Sequence, residues 1–350
     1  MAKVGIVKDE RYLLHDMGPH PESPERLRVI YQTIQEKEME GLCAEIPSRA
    51  ATREEIETIH APPYVDRIAE TAGKPHVRLD PDTSTCAASY EAAVWAVGGL
   101  LDAIDAVVKG KMDSAFALVR PPGHHAEKAR AMGFCLFNNV AIGARHAQKI
   151  HGFDRILIVD WDLHHGNGTQ NAFYDGNDVL YFSTHQYPFY PGTGGINEIG
   201  EEKGRGYTVN APLSPGCGDS VYANLYSHVL RPIALTYRPQ LILVSAGFDI
   251  HHRDPLGGMQ VTAKGFARLT NILKDIARLT CSGRIVLTLE GGYDLTALSE
   301  SVRAVLLEMK ADDSWVDQDA CRKEEETDYG SIEKGIEAIQ KTQGEYWKCF

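Results

Sequence analysis

Five short apolar runs constrain this chain more than any other feature: Ser114–Val119, Arg155–Asp160, Val179–Ser183, Leu241–Ser245 and Arg284–Leu289. A half-exposed strand would alternate polar and apolar residues. These runs scarcely alternate, and unbroken runs of this length suit strands covered on both faces, as in a parallel sheet between helices. Helical patterns fill most of the gaps, at Ser89 to Val108, Val140 to Ile150, Tyr222 to Ala234 and Thr262 to Thr280. Strands alternating with helices predict an α/β fold with a doubly wound, mostly parallel sheet. A chain of 350 residues is long enough to bury such a core. No repeat or linker marks a boundary, so residues 1–350 read as a single domain. The charged segment after Leu306 is expected to wrap the surface, and Ser331 to Trp347 to form a C-terminal helix.

Polar clusters follow the apolar runs directly. RPPGHHAEK follows the first, DWDLHHGNG the second, STHQYPFYPGTG the third, SAGFDIHHRDPLGG the fourth and LEGGYD the fifth. In an open parallel sheet the loops at the carboxyl ends of the strands share one edge and build the site. Turn chemistry alone explains any one of these loops. Five of them carrying His, Asp and Tyr together point to a site.

The rest of the composition excludes several classes. Lys and Arg number 36 against 48 Asp and Glu, a net charge of −12, which argues against a nucleic-acid partner. No apolar stretch approaches the roughly 20 residues of a membrane helix. The N-terminus MAKVGIVKDERYLLHD carries charges where a signal peptide would be apolar, so a cytoplasmic protein is expected. The seven cysteines are scattered and form no C-x-x-C, which disfavours a disulfide framework or a cysteine zinc site.

In an extended Asp160-Trp161-Asp162-Leu163-His164, residues 160, 162 and 164 share one side, and Trp161, Leu163 and His165 the other. Two carboxylates and an imidazole then line one face. A catalytic zinc takes three such ligands and leaves a place open. Asp162 and His164, nearest the loop, suit ligation, and the deeper Asp160 suits an outer supporting role. A third ligand must come from elsewhere, with Asp249 and Asp254 as candidates. Asp254 reads equally as a turn residue ahead of Pro255. The adjacent His124 and His125 follow a rigid RPPG turn and suit a general base and a general acid. An isolated pair of this kind is as often merely solvated.

Taken in order, RPPGHHAE, GFCLFNNVA, VDWDLHHGNGTQ, YPGTG, SAGFDIHHRDPLGG and LEGGYDL resemble the zinc-dependent histone deacetylase superfamily, over roughly residues 10 to 305. That superfamily includes acetylpolyamine amidohydrolases and acetoin-utilisation proteins, and RPPGHHAE and DPLGGMQVT look most like its class II deacetylases. The resemblance implies an arginase-like α/β fold and a zinc site of Asp162, His164 and Asp254, with Asp249 a structural loop residue. Iron accepts the same ligand set. It implies His124 and His125 as catalytic histidines, paired with Asp160 and Asn167 respectively, and Tyr293 as the oxyanion donor. A carboxylate partner favours the imidazolium more than an amide does. His125 is therefore expected to be the general base, and His124 the more cationic of the two. The resemblance further implies Gly133, Phe134 and Tyr190 as walls of an acyl channel. It implies a potassium ion near Asp160, Asp162, His164, Ser183 and Thr184, and a second near Phe173, Gly176, Val179 and Tyr207. Arg26 is expected at the internal end of the channel.

The function implied is removal of acetyl or other short acyl groups from the side-chain amine of acyl-lysine in peptides or proteins. The alternative is hydrolysis of acetylated polyamines. Polyamine-selective relatives can carry an acid at the position of Leu256, and its absence here lowers that reading. Glu22, Asp82 and Asp16 lie in loops able to reach the rim, and read first as solvated charges. A manganese ureohydrolase of the same fold would need an acid where Asn167 stands. A non-catalytic binding module would have lost a ligand, a tandem histidine or the tyrosine.

Overall fold

The computed structural model describes residues 2–350. Its strands are β1 (Val4–Val7), β2 (Cys43–Glu45), β3 (Val77–Arg78), β4 (Ser84–Thr85), β5 (Ser114–Ala117), β6 (Ile156–Asp160), β7 (Val179–Gln186), β8 (Thr208–Leu213), β9 (Leu241–Ala246) and β10 (Ile285–Leu289). Eight of them form one sheet in the order β2-β1-β5-β10-β9-β6-β7-β8. Every neighbouring pair in that sheet is parallel. Strands β3 and β4 form a separate antiparallel pair.

The apolar runs become strands because both faces are covered. All residues of β5, β6, β9 and β10 are buried. Each fully buried Val, Leu or Ile contributes roughly 1.5–3 kcal/mol. The helices are α1 (Glu25–Ile34), α2 (Arg53–Ile56), α3 (Pro62–Ala69), α4 (Ser89–Val108), α5 (Asn139–His151), α6 (Asn167–Ala172), α7 (Asp219–Leu225), α8 (Arg231–Tyr237), α9 (Ala263–Thr280), α10 (Leu295–Lys310) and α11 (Gln318–Gln343). Helices α4 and α5 pack on each other, and α9 packs on α10 and α7. Side-chain caps set several starts: Asn138 accepts from Ala141 N for α5, Thr262 from Gly265 N for α9 and Asp294 from Ala297 N for α10.

The pattern over Tyr222 to Ala234 is helical throughout: α7, a π turn at Tyr226–Leu230 and α8 run on without a break from Asp219 to Tyr237. One expectation changes in its bounds. The charged tail forms its helix well before Ser331. It is helical from Gln318, where Asp317 caps the backbone amides of Asp319 and Ala320. Cys321, Glu325, Ile336, Ile339 and Gln343 form its buried positions, and it packs against α7 and β8.

Register brings the strand ends level. Asp160 sits opposite Ser183 on one side and Ser245 on the other, and Leu289 opposite Ala246. The loops that follow therefore leave from a common edge. Among the described residues no helix is long and apolar enough to cross a membrane.

Candidate active site

Only Asp160 belongs to β6, and residues 161–166 form the turn that leads into α6. Trp161 and Leu163 are buried in the core, which turns Asp162 and His164 the other way. His164 Nδ1 lies 3.1 Å from Asp162 Oδ1 and 3.1 Å from Asp249 Oδ2. Ligand atoms of these three residues all lie within 4.8 Å of one another. The loop after β9 thus brings Asp249 to Asp162 and His164, with Asp254 near enough to act on the Asp249 carboxyl.

Asp254 is occupied elsewhere. Its Oδ1 accepts from Leu256 N at 3.0 Å, and its Oδ2 accepts from Tyr293 N at 2.6 Å and Asp294 N at 3.3 Å. It ties the loop after β9 to the loop after β10. Asp249 accepts from Leu163 N through Oδ1 at 2.9 Å, while its buried Oδ2 has no aligned hydrogen bond and meets His164 Nδ1 as an ion pair at 3.1 Å. A buried carboxylate oxygen is costly unless its lone pairs are bound. Two carboxylates and an imidazole crowded in this way fit a divalent metal. Burial and then the neighbouring Asp162 push the Asp249 carboxyl up to about 7. Burial opposes charge on His164, but Asp162 and Asp249 outweigh it and raise the imidazole to about 10. Both shifts register excess negative charge in a small space, which a cation relieves. Glycine is required at this point: a Cβ on Gly291 would strike the carboxylates of Asp249 and Asp162.

The loop after β5 delivers the histidine pair. Their rings lie 4.0 Å apart. His124 Nδ1 is 3.1 Å from Asp160 Oδ2, and its Nε2 is 3.8 Å from Asp162 Oδ1. Asp160 also accepts from Tyr181 Oη at 3.0 Å and from Asp162 N at 3.1 Å. Against the penalty of burial, Asp162 and Asp160 raise His124 to about 10. His125 has the opposite environment. Its Nδ1 lies 2.8 Å from Asn167 Oδ1, and burial, followed by His124 and His164, holds it well below the usual histidine range. These are the two partners expected from the sequence.

The backbone of this loop is held by Glu290, directly after β10, a residue the sequence reading passed over. Its Oε2 accepts from Gly123 N at 2.6 Å and His124 N at 3.2 Å, and its Oε1 from Ser245 Oγ at 3.1 Å. An acid immediately after a buried strand was the available signal. Its partners in the histidine loop, however, lie 167 and 166 residues away in the chain.

A cavity of about 130 Å³ opens onto these groups. Gly133, Phe134, Tyr190, Leu256 and Tyr293 all line it, together with His124, His125 and His164. The Phe134 ring lies edge-on to Tyr293 at 6.1 Å, and Tyr190 edge-on to His125 at 5.1 Å. Gly133 has a φ of 57°, and a Cβ there would strike the His125 ring. Arg26 is fully buried, with its guanidinium 5.0 Å from the Tyr293 ring centre and its Nε donating to Gly292 O at 2.7 Å.

The three loop acids separate. Glu22 is no solvated charge, being 1% exposed. It binds Arg120 through both oxygens, Arg26 at 3.2 Å and His15 at 3.4 Å. Asp82 lies on the cavity wall, where it accepts from Gly133 N at 3.0 Å. Asp16 stays exposed and accepts from Gly18 N. One histidine of each of the other two adjacent pairs serves as a brace. His165 pairs with Thr193 and Gln170, and buried His251 accepts from Arg253 N.

The fold and site define an α/β protein with a trio of side chains able to hold a metal and a buried histidine pair at the carboxyl edge of a parallel sheet. The model of the histone deacetylase domain matches residues 20–309, and the chain belongs to that family. It is 38% identical over 359 residues to a probable deacetylase of Archaeoglobus fulgidus, covering 99% of both chains. It is 42% identical over 308 residues to histone deacetylase 15 of Arabidopsis thaliana, with 85% of this chain and 55% of that protein covered. To the human polyamine deacetylase HDAC10 it is 41% identical over 310 residues, with 83% of this chain and 45% of that protein covered. The chain thus spans about half the length of these plant and human relatives. The crystal structure of the HDA15 HD domain superposes with a TM-score of 0.89 at 38% identity, covering 99% of this chain and 96% of that one.

Proposed function

We propose that the protein is a zinc-dependent deacylase that removes acetyl or other short acyl groups from acyl-lysine side chains in peptides or proteins. The carrying observation is the buried cluster of Asp162, His164 and Asp249, with ligand atoms within 4.8 Å of one another, beside a histidine whose Nδ1 faces an amide oxygen. Asp162, His164 and Asp249 would hold the zinc. When bound, zinc supplies a Lewis acid that polarises a carbonyl and acidifies water.

The chain's own groups divide the remaining work. Asn167 donates its amide nitrogen to Glu127 Oε1 at 2.5 Å, so its oxygen faces His125. His125 must then carry its proton on Nδ1, which leaves Nε2 free to accept one from the attacking water. His124, between Asp160 and Asp162, stays protonated and supplies positive charge beside the reacting carbonyl. The Tyr293 hydroxyl donates to the developing oxyanion. His125 then returns its proton to the departing nitrogen as the C–N bond breaks. Water and amide become carboxylic acid and amine, and the acid's proton passes to the amine, so that carboxylate and ammonium leave.

Leu256 presents an apolar face to the cavity, where a second ammonium would need an acid. This favours acyl-lysine over acetylated polyamine. Asp82 on the same wall is the one observation that favours the polyamine alternative. A manganese ureohydrolase has no use for Tyr293 on the cavity wall. Potassium ions are proposed near Ser183 and Thr184, whose Oγ1 is buried without a partner, and near Phe173, Gly176, Val179 and Tyr207. The test is a deacylation screen of metal-loaded enzyme on acetyl-lysine peptides, longer acyl-lysines and acetylated polyamines, with chelated protein as control. Hydrolysis of none of them would overturn the reading, and hydrolysis of polyamines alone would replace the substrate.

A further inference from the structure

Far along α5 from the tandem-histidine loop, a second set of ligating side chains lies between α5 and α4. His146 Nε2 and His151 Nε2, both from α5, approach one oxygen, Asp105 Oδ1 of α4, at 2.8 and 2.7 Å. Ligand atoms of the three residues lie within 4.8 Å of one another. The side chains of His146 and His151 are only 5% and 9% exposed, and that of Asp105 25%. The cluster therefore has one open side.

Two details separate it from an ordinary surface ion pair. The far nitrogen of His146, Nδ1, is buried with no hydrogen-bond partner. It faces Glu55 Oε1 at 3.9 Å, and Glu55 is itself gripped by Arg49 at 2.8 and 2.7 Å. An imidazole with a ligand on one nitrogen and a carboxylate beyond the other is how metal-binding histidines are oriented. Lys109 Nζ meets Asp105 at the other oxygen, Oδ2, at 2.6 Å, as an exposed neighbour on the same helix. Oδ1 is left to the histidines.

We propose that Asp105, His146 and His151 form a second site, for a divalent transition metal of borderline softness such as zinc, separate from Asp162, His164 and Asp249. Two imidazole nitrogens and one carboxylate oxygen suit zinc, cobalt or nickel, whereas magnesium and calcium prefer all-oxygen shells. Water completes the shell on the open side. Each imidazole ligates through Nε2 and carries its proton on Nδ1, and for His146 that proton turns toward Glu55. The bound ion clamps the C-terminal end of α5 to α4. The opposite end of α5 is capped by Asn138, whose Nδ2 lies 3.5 Å from His124 O and 3.4 Å from Ala126 O.

The test compares wild type with His151→Gln and, as a second variant, Asp105→Asn, each dialysed against zinc and measured for metal per chain. Cobalt titration followed by visible absorption gives an independent readout. Wild type is expected to hold one more ion per chain than either variant, and zinc to raise its Tm further than theirs. Deacylase activity should be unchanged in His151→Gln. Equal metal content in wild type and His151→Gln overturns the proposal. Asp249→Ala, run alongside, reports on the other trio, so failure of one site is distinguishable from failure of the other.

Discussion

His125 Nδ1 lies 2.8 Å from Asn167 Oδ1, and Asn167 points its oxygen there because its nitrogen is bound to Glu127. This relationship sets the protonation of the base. A neutral amide does little to favour imidazolium, whereas the carboxylate beside His124 favours it strongly. The two adjacent histidines therefore hold different charges at one pH, and the proposed mechanism uses that difference.

Asn167→Asp should move the acidic limb of the pH–rate profile. A carboxylate at hydrogen-bond distance raises a neighbouring imidazole by about 1–3 pH units. His125 acts only when neutral, so the limb shifts to higher pH and activity below neutrality falls. An unmoved limb in kcat/KM would assign the base elsewhere.

Much of the architecture was legible because buried parallel strands leave unbroken apolar runs. The five central strands appear within a few residues of their expected bounds. Short edge elements such as β2 (Cys43–Glu45) leave no such run, being partly exposed. Alternation also correctly faced Asp162 and His164 away from Leu163. It could not choose between Asp249 and Asp254, since that depends on how a loop folds after its strand ends. The resemblance implies Asp254 as the third ligand, whereas the cluster around His164 contains Asp249, and metal analysis of variants at the two positions decides between them. Glu22 was misread for a related reason. An acid in a loop looks solvated until Arg120, 98 residues away, is seen to enclose it.

Asp249→Ala and Asp254→Ala should therefore fail differently. The first removes a metal-facing oxygen, so metal per chain falls and activity is lost. The second leaves the trio intact but strips acceptors from the amides of Leu256, Tyr293 and Asp294. Each buried amide left unpaired costs about 1–3 kcal/mol. Asp254→Ala should keep its metal while losing stability and kcat. Metal analysis beside denaturant melts separates the two.

Tyr293→Phe removes the oxyanion donor while keeping the ring that packs near Phe134 and Arg26. Loss of one such donor lowers kcat by about 10²–10³-fold. KM should change little, because the contact strengthens only as the oxyanion forms. A KM effect with kcat preserved would make Tyr293 a binding residue instead.

Glu22 ties acid stability to the first turn of α1, which carries Arg26. Burial alone would raise its carboxyl, but Arg120 and then His15 hold it well below the usual range. The unfolded chain takes up this proton first as pH falls. The stabilisation is thus present above the ordinary glutamate pKa and lost as pH drops toward the depressed folded value. Glu22→Gln leaves Arg120 buried without its counter-charge, at a cost of about 3–5 kcal/mol at neutral pH. Its stability should also fall less steeply between mildly and strongly acidic pH than that of wild type. Urea melts across that range test both effects.

Leu256→Glu tests what the cavity wall selects. Leu256 N is fixed by Asp254 Oδ1 at 3.0 Å, and the side chain lines the cavity with Tyr293 and the histidine pair. A carboxylate here would lie beside the path of the substrate amine. Two unit charges 4 Å apart attract by about 4 kcal/mol near a protein surface, less the cost of desolvation. An acetylated polyamine carries further ammonium groups to use that attraction, and a neutral acyl-lysine stem carries none. The ratio of kcat/KM for acetylated polyamine over acetyl-lysine peptide should therefore rise at least about tenfold, an amount that corresponds to roughly 1.4 kcal/mol. Wild-type selectivity unchanged by the new carboxylate would show that the choice is made farther out, where Asp82 meets the amide of Gly133.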